Sequence, residues 1–231
     1  MPAPDSPALA QTEVDATRYA LLRRLAHPIR HEMAAHLQPI GMVGEVLGRR
    51  LRQPAADAAQ LQSGVERLLL LSREAVQACL DVVTWLAPEP GRAVALGTLV
   101  AETVALLNGQ LGFRGFGLRN AVGDAPWPVA RSGLRLVLPA CLLLLSDDAG
   151  APAEIRIEAQ GDDARVRLRL SLEPGDGPEP MRVEPSYPPL RSAQVAALAR
   201  AEGIVFEHAG DTIMLSLPPA PVPAQASDSA A

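Results

Sequence analysis

Apolar residues recur at steps of three and four over the first part of the chain, from about residue 14 to residue 51. The positions with this spacing are Leu21, Leu22, Leu25, Ile29, Met33, Leu37, Ile40, Val43, Leu47 and Leu51. Such spacing places them on one stripe of a long α-helix. Pro28 and Pro39 lie inside the stripe and are expected to kink the helix locally.

A second helix with the same periodicity is predicted to follow and to end near residue 86. Its stripe consists of Leu61, Val65, Leu68, Leu69, Ser72, Val76, Cys79, Leu80 and Val83. Pro54 lies near the start of this helix, so a short turn joins the two helices into a hairpin. One partner helix cannot bury so much apolar surface, which favours a dimeric four-helix bundle. The alternative is a monomer in which the rest of the chain covers the spare face.

Beyond the Pro-rich linker at 87–91, the pattern changes to α+β. Helices are predicted over 96–111, 132–145 and 191–201, and strands over 117–122, 153–159, 164–172, 204–207 and 212–217. A Pro- and Gly-rich loop covers 173–189. The predicted division is a disordered N-terminus at 1–12, a helical hairpin at 13–87, an α/β domain at 92–217 and a disordered tail at 218–231.

Composition and charge exclude several classes of function. Of 231 residues, 48% are hydrophobic and only 3% are aromatic, so the core is built from aliphatic side chains and helix packing is favoured. All 21 basic residues are Arg, which excludes a catalytic Lys and the Lys of a P-loop. The net charge of −5 argues against nucleic acid as a partner.

Cysteines and hydropathy indicate a soluble cytoplasmic protein that has no membrane partner. Cys79 and Cys141 both lie in apolar stretches and are expected to be buried thiols in a reducing compartment. The N-terminus has no secretory signal pattern. The longest apolar run, 136–145, is shorter than the roughly 20 residues that a membrane span requires.

The segment from His31 to Leu47 contains the candidate chemistry. A shared metal ion is not expected there, because His31 and His36 are five residues apart and point about 140° apart around a helix. His27 and His31 have the spacing that two metal ligands need on a helix, but no third ligand is in view and Pro28 disturbs the turn.

From His31 onward the chain resembles the H-box of two-component histidine kinases and histidine phosphotransferases. The acid that follows the family's phosphorylated histidine is Glu32, and the later apolar and acidic positions are filled by Met33, Leu37, Ile40, Glu45 and Leu47. The resemblance implies that His31 accepts a phosphoryl group through a free ring nitrogen. It implies that Glu32 holds or accepts the proton on the other nitrogen.

The chain departs from the H-box pattern at three positions, and the pattern can also be aligned so that a different histidine is the acceptor. Where the family usually has Arg or Lys, then Thr or Asn, then Pro, this chain has Ala34, Ala35 and His36. Ala35 cannot orient the water with which kinases dephosphorylate a response regulator, so that phosphatase activity is not expected. In the rival register His27 is the acceptor and Pro28 replaces the acid. His31 is preferred because it keeps the acid and the downstream spacing, and a third possibility is that neither histidine reacts.

The second domain resembles the ATP-binding domain of the same kinases in its order of elements, but its nucleotide motifs are altered. The long helix should carry an Asn that helps to hold Mg²⁺, yet residues 138–147 contain none and Asp147 lies at the helix end. The segment from Glu173 to Gly177 keeps two glycines and replaces the adenine-binding Asp with Glu. Prolines at 188–189 remove N–H groups that a phosphate loop must offer. No ATP and no other cofactor is expected.

Together these features resemble the ChpT-type histidine phosphotransferases. The implied fold is a long helical hairpin forming a dimeric four-helix bundle, followed by a degenerate histidine-kinase ATPase-like α/β sandwich. The implied function is exchange of a phosphoryl group between His31 and aspartates of response-regulator receiver domains, which would meet Ala34, Ala35 and Gln38. The alternatives are a sensor kinase core with residual ATP-dependent autophosphorylation, in which Glu173 reads adenine, and a non-catalytic pseudokinase scaffold that binds a response regulator.

Overall fold

Two long helices form the N-terminal part of the chain in the computed structural model, which describes residues 7–54, 57–86, 91–161, 165–175, 187–218 and 220. Helix α1 extends over Pro7–Leu51 and helix α2 over Ala58–Leu86. Helix α1 continues through Pro28 and Pro39. Residues 7–12 are helical, although the sequence predicted disorder over 1–12, because a proline at a helix start removes an N–H that has no intrahelical partner there. The predictions for residues 1–6 and for 221–231 lie outside the described residues.

One compact unit, Ala26–Pro88, contains α1 from Ala26 onward together with α2. Leu47, Ala75 and Trp85 are buried in it. Gly64 of α2 allows close packing, since a Cβ atom built on it would lie 2.4 Å from Cδ2 of Leu47. On a different side of α2, several large apolar side chains are about half exposed. They are Val65, Leu69, Leu70, Val76, Leu80 and Val83.

The second compact unit combines the chain up to Leu25 with the chain from Glu89 onward. The start of α1 belongs to it because this part of the helix has an apolar face of its own. Val14, Leu21 and Leu25 are buried there, together with Thr17 and Arg24. The Thr17 hydroxyl donates a hydrogen bond of 2.8 Å to the carbonyl of Glu13 one turn earlier.

Among its described residues, the α/β domain contains three helices and seven strands. They are β1 (Ala93–Ala95), α3 (Leu96–Phe113), β2 (Phe116–Asn120), β3 (Pro128–Ala130), α4 (Arg131–Asp148), β4 (Ala153–Gly161), β5 (Val166–Pro174), α5 (Ser192–Ala201), β6 (Val205–Ala209) and β7 (Thr212–Leu217). The order of the larger elements confirms the prediction. Strands β1 and β3, which were not predicted, pair antiparallel as a separate two-stranded sheet.

The main sheet has five strands in the order β2-β4-β5-β7-β6. Strand β2 runs parallel to β4, and the other neighbours are antiparallel. One face of the sheet is buried through alternate side chains, which are Ile155, Ile157, Leu168, Leu170, Ile213 and Leu215. Helix α4 is buried along nearly its whole length, so the main core lies between the helices and the sheet. No described helix has an apolar stretch long enough to cross a membrane.

Candidate functional site

His31 and Glu32 are both exposed near the middle of α1. Within the described part of the chain, neither side chain makes a hydrogen bond or an ion pair. Consecutive residues point about 100° apart around a helix, so Glu32 does not face the imidazole directly. Both ring nitrogens of His31 are therefore accessible to a group that approaches from solvent.

Two small side chains follow His31 on the same face of the helix. Ala34 is half-buried and Ala35 is exposed, one turn after His31, and Gln38 is exposed two turns after it. On a helix, residues three, four and seven positions apart are neighbours on one face. Methyl groups at the two alanines leave the imidazole unshielded, and the backbone of a partner can approach closely.

His27 is also exposed, but its ring forms a hydrogen bond with the guanidinium of Arg30. Nη2 of Arg30 lies 3.1 Å from Nδ1 of His27. A guanidinium can only donate, so Nδ1 accepts this hydrogen bond and the neutral ring carries its proton on Nε2. Neither nitrogen of this tautomer offers a free lone pair for attack on phosphorus. This contact favours His31 over His27 as the nucleophile.

The other histidines and the buried cysteine are not grouped into a site that could bind a metal ion. His36 is half-buried on α1, and His208 is held between the hydroxyl of Ser192 and the carbonyl of Gly210, each at 3.0 Å. Burial of Cys141 raises the pKa of its thiol far above the ordinary value through desolvation, so it behaves as a small apolar group. Among the residues that the structure describes, no group of three His, Cys, Asp or Glu side chains could hold a metal ion.

Two arginines, Arg24 and Arg114, form ion pairs with the carboxylate of Asp147 at the end of α4. Nη2 of Arg24 donates to its Oδ1 at 2.8 Å, and Nη1 of Arg24 contacts its Oδ2. Arg114 adds a second donor to Oδ1 at 2.9 Å and also contacts the hydroxyl of Ser146 at 3.1 Å. Because two cations already compensate this buried carboxylate, it is not a candidate for holding Mg²⁺. It connects the start of α1 to the end of α4.

The other positions that were compared with nucleotide motifs are buried in α4, exposed at the end of β5, close to the start of α5, or outside the described residues. Residues 136–145 of α4 are all buried and apolar, so this stretch presents no polar side chain that could reach a ligand. Glu173 is exposed at the end of β5, opposite Glu154 in the sheet, while Gly177 lies outside the described residues. At the start of α5, the amides of Gln194 and Val195 both bond to the carbonyl of Arg191.

Sequence reasoning missed the cluster of Arg24, Arg114 and Asp147. Arg24 and Asp147 are 123 positions apart, Arg24 belongs to no recognisable motif, and the sequence distinguishes Asp147 only as an acid at the end of a predicted helix. The signal that was available is a basic residue, Arg24, directly before Leu25 within the apolar stripe of α1. A charged residue beside an apolar stripe does not by itself indicate a buried ion pair. Its partner must also be known, and only the tertiary fold brings Asp147 next to Arg24.

No family model and no curated protein matches the chain. It is similar to the solved structure of a histidine kinase from Burkholderia phymatum STM815, with 20% identity, a TM-score of 0.44, and coverage of 87% of this chain and 98% of that one. A histidine kinase ThkA, solved in complex with the response regulator protein TrrA, matches with 15% identity and a TM-score of 0.42, covering 94% and 69%. The histidine kinase AdeS of Acinetobacter baumannii matches with 12% identity and a TM-score of 0.42, covering 82% and 98%.

Proposed function

We propose that this chain is a cytoplasmic histidine phosphotransferase that carries a phosphoryl group on His31 between aspartates of response-regulator receiver domains, without using ATP. The observation that supports it most is the exposed imidazole of His31, which makes no hydrogen bond or ion pair within the described residues. It lies on a long helix beside Ala34 and Ala35, so a receiver domain can bring its phosphorylated aspartate close.

The transfer step needs only a free imidazole nitrogen and an activated phosphoryl donor. The nitrogen lone pair of His31 attacks the phosphorus atom of the aspartyl phosphate, and an N–P bond forms. The P–O bond to the aspartate breaks, and the carboxylate leaves with the electron pair. Glu32 has the role of accepting the proton on the opposite ring nitrogen, after its side chain turns towards the imidazole. The reverse step returns the phosphoryl group to another aspartate.

We also infer that the receiver domain meets the face of α1 that carries Ala34, Ala35 and Gln38. The alanines allow close approach of the two backbones, and the Gln38 amide can donate and accept hydrogen bonds at the edge of the contact. Each of these residues follows His31 by three to seven positions on one helical face. A receiver bound there would hold its aspartate opposite His31.

We also propose that the chain forms a homodimer through α2. The exposed apolar residues of α2 include Val65, Leu69, Val76, Leu80 and Val83, which fall within about 60° of the helix circumference. A second copy of the chain presents the same stripe, so a two-fold arrangement buries both stripes at once. The hairpin would then form a four-helix bundle with His31 outside its seam.

Two features support transfer without a nucleotide. Asp147 is compensated by Arg24 and Arg114, and residues 136–145 of α4 offer no polar side chain. The competing functions are an ATP-dependent kinase core, which requires Mg²⁺ and phosphate ligands from other residues, and a scaffold that binds a response regulator without chemistry.

Phosphotransfer with purified protein tests the proposal. The chain is incubated with a phosphorylated receiver domain and, separately, with labelled ATP, using the wild type, His31→Ala and His27→Ala. We expect label from the receiver alone, lost in His31→Ala and retained in His27→Ala. Label from ATP would support the kinase core. Binding of the receiver with no label from either donor would support the scaffold.

A further inference from the structure

His27 lies one helical turn before His31, and its ring has one hydrogen-bonding group left to offer. Residues four apart on a helix have Cβ atoms about 5–6 Å apart and project from the same face. Both histidines are exposed. A group on the imidazole of His31 therefore comes within reach of the imidazole of His27.

Arg30 determines which group His27 offers. The contact of 3.1 Å between Nη2 of Arg30 and Nδ1 of His27 makes Nδ1 an acceptor. In the neutral ring the proton is then on Nε2, at the far side of the imidazole from Arg30. The Nε2–H group is a donor that has no partner among the described residues.

We propose that His27 binds the phosphoryl group on His31, donating from Nε2 to a phosphoryl oxygen, and that Arg30 acts as a positioning residue by fixing the tautomer of His27. The inference rests on the proposed function, since it requires phosphorylation of His31. Oxygen atoms of the transferring group carry negative charge, and hydrogen bonds to charged groups are about twice as strong as neutral ones. The donor stabilises both the transfer step and the phosphorylated product.

The transfer itself remains the one described above, and His27 neither gains nor loses a covalent bond. The N–P bond forms at His31, the P–O bond to the receiver aspartate breaks, and the proton on Nε2 of His27 stays there as a shared hydrogen. The rival register, in which His27 is itself phosphorylated, would require the Nε2–H tautomer to be lost.

Single-turnover transfer from a phosphorylated receiver domain measures the effect. His27→Leu removes the donor, and His27→Gln keeps an N–H donor at a similar reach. We expect about tenfold slower transfer in His27→Leu, most of the wild-type rate in His27→Gln, and unchanged affinity for the receiver. His36→Leu is the matched control, because this histidine points about 140° away from His31 and its loss should leave the rate unchanged.

Arg30→Met tests the positioning role, with Arg49→Met as a control that removes the same charge from an exposed site on α1. We expect slower transfer in Arg30→Met alone. The ³¹P resonance of phosphorylated His31 should also shift in His27→Leu and Arg30→Met and stay in place in the controls. Circular dichroism of each variant verifies that the helices are retained.

The outcomes separate this inference from the proposed function. If His31→Ala still acquires label from the receiver, the proposed function fails. If His31→Ala loses label while His27→Leu and His36→Leu transfer at equal rates, only the role of His27 is overturned. Equal damage in His27→Gln and His27→Leu would also overturn it, because the donor would then not be the cause. Label mapped to His27 itself would overturn both proposals.

Discussion

At the scale of single residues, the carboxylate of Asp147 is the group whose loss we expect to destabilise the protein most. Its side chain is 1% exposed and that of Arg24 is 2% exposed. Asp147→Asn keeps the shape but leaves two guanidinium groups without their counter-charge. Breaking a buried pair in this way costs about 3–5 kcal/mol, because the remaining charge is buried and uncompensated. The free energy of unfolding from urea titration should fall by that amount.

A matched control for Asp147→Asn is Glu158→Gln. Glu158 accepts a hydrogen bond of 2.8 Å from Arg156, and both side chains are about one-third exposed. Solvent screens such a pair, so its removal should change the unfolding free energy by less than about 1 kcal/mol. Equal losses in the two variants would show that the burial of Asp147 does not determine its contribution.

The residues of the candidate site could be derived from the sequence only in part. The spacing around His31 indicates a helix and a resemblance, and it places Ala34 and Ala35 on the same face. The hydrogen bond from Arg30 to His27 depends on the rotamers of two long side chains, which no periodicity specifies. Likewise, the partners of Asp147 are determined by the tertiary fold.

At the scale of the elements, the glycines of the hairpin provide a paired test of its packing. Gly44 of α1 has open space where a Cβ atom would be, whereas a Cβ atom on Gly64 of α2 would lie 2.4 Å from Cδ2 of the buried Leu47. Alanine has a higher helix propensity than glycine by about 1 kcal/mol. Gly44→Ala should therefore raise the unfolding free energy by about that amount.

Gly64→Ala gains the same propensity but forces Leu47 from its position, and overpacking of this kind costs about 1–3 kcal/mol. We expect its unfolding free energy to lie below that of Gly44→Ala by at least about 1 kcal/mol. Thermal or urea denaturation of the two variants measures the difference. Equal stabilisation of both would mean that the helices do not contact each other at Gly64.

The larger elements were predictable because each has a strong period. Helix α4 and strands β4 and β5 combine long apolar or alternating runs with clear turn residues. Strands β1 and β3 have three residues each, which is too short for alternation to be recognised, and β3 begins with Pro128. The early start of α1, at residues 7–12, was missed because this stretch contains a proline, alanines and polar residues and has no apolar periodicity of its own.

At the scale of the whole molecule, the apolar stripe of α2 determines the expected state of association. Leu69 and Leu80 are each more than half exposed, and their burial in a second copy contributes about 25 cal/mol per Å² of apolar surface. The double variant Leu69→Glu, Leu80→Glu places four like charges in the seam of a dimer. We expect light scattering to give a dimer for the wild type and a monomer for this variant.

The control for the dimer is Gln60→Glu, which adds a negative charge to α2 at an exposed position about 140° around the helix from Val65. It should remain dimeric, because its side chain points away from the stripe. If the double variant also remains dimeric, the seam lies elsewhere. If the wild type is a monomer at every concentration, the exposed stripe of α2 has a different role.

Phosphotransfer by a monomeric variant would further show that one hairpin is sufficient to present His31, since the proposed chemistry uses residues of a single α1.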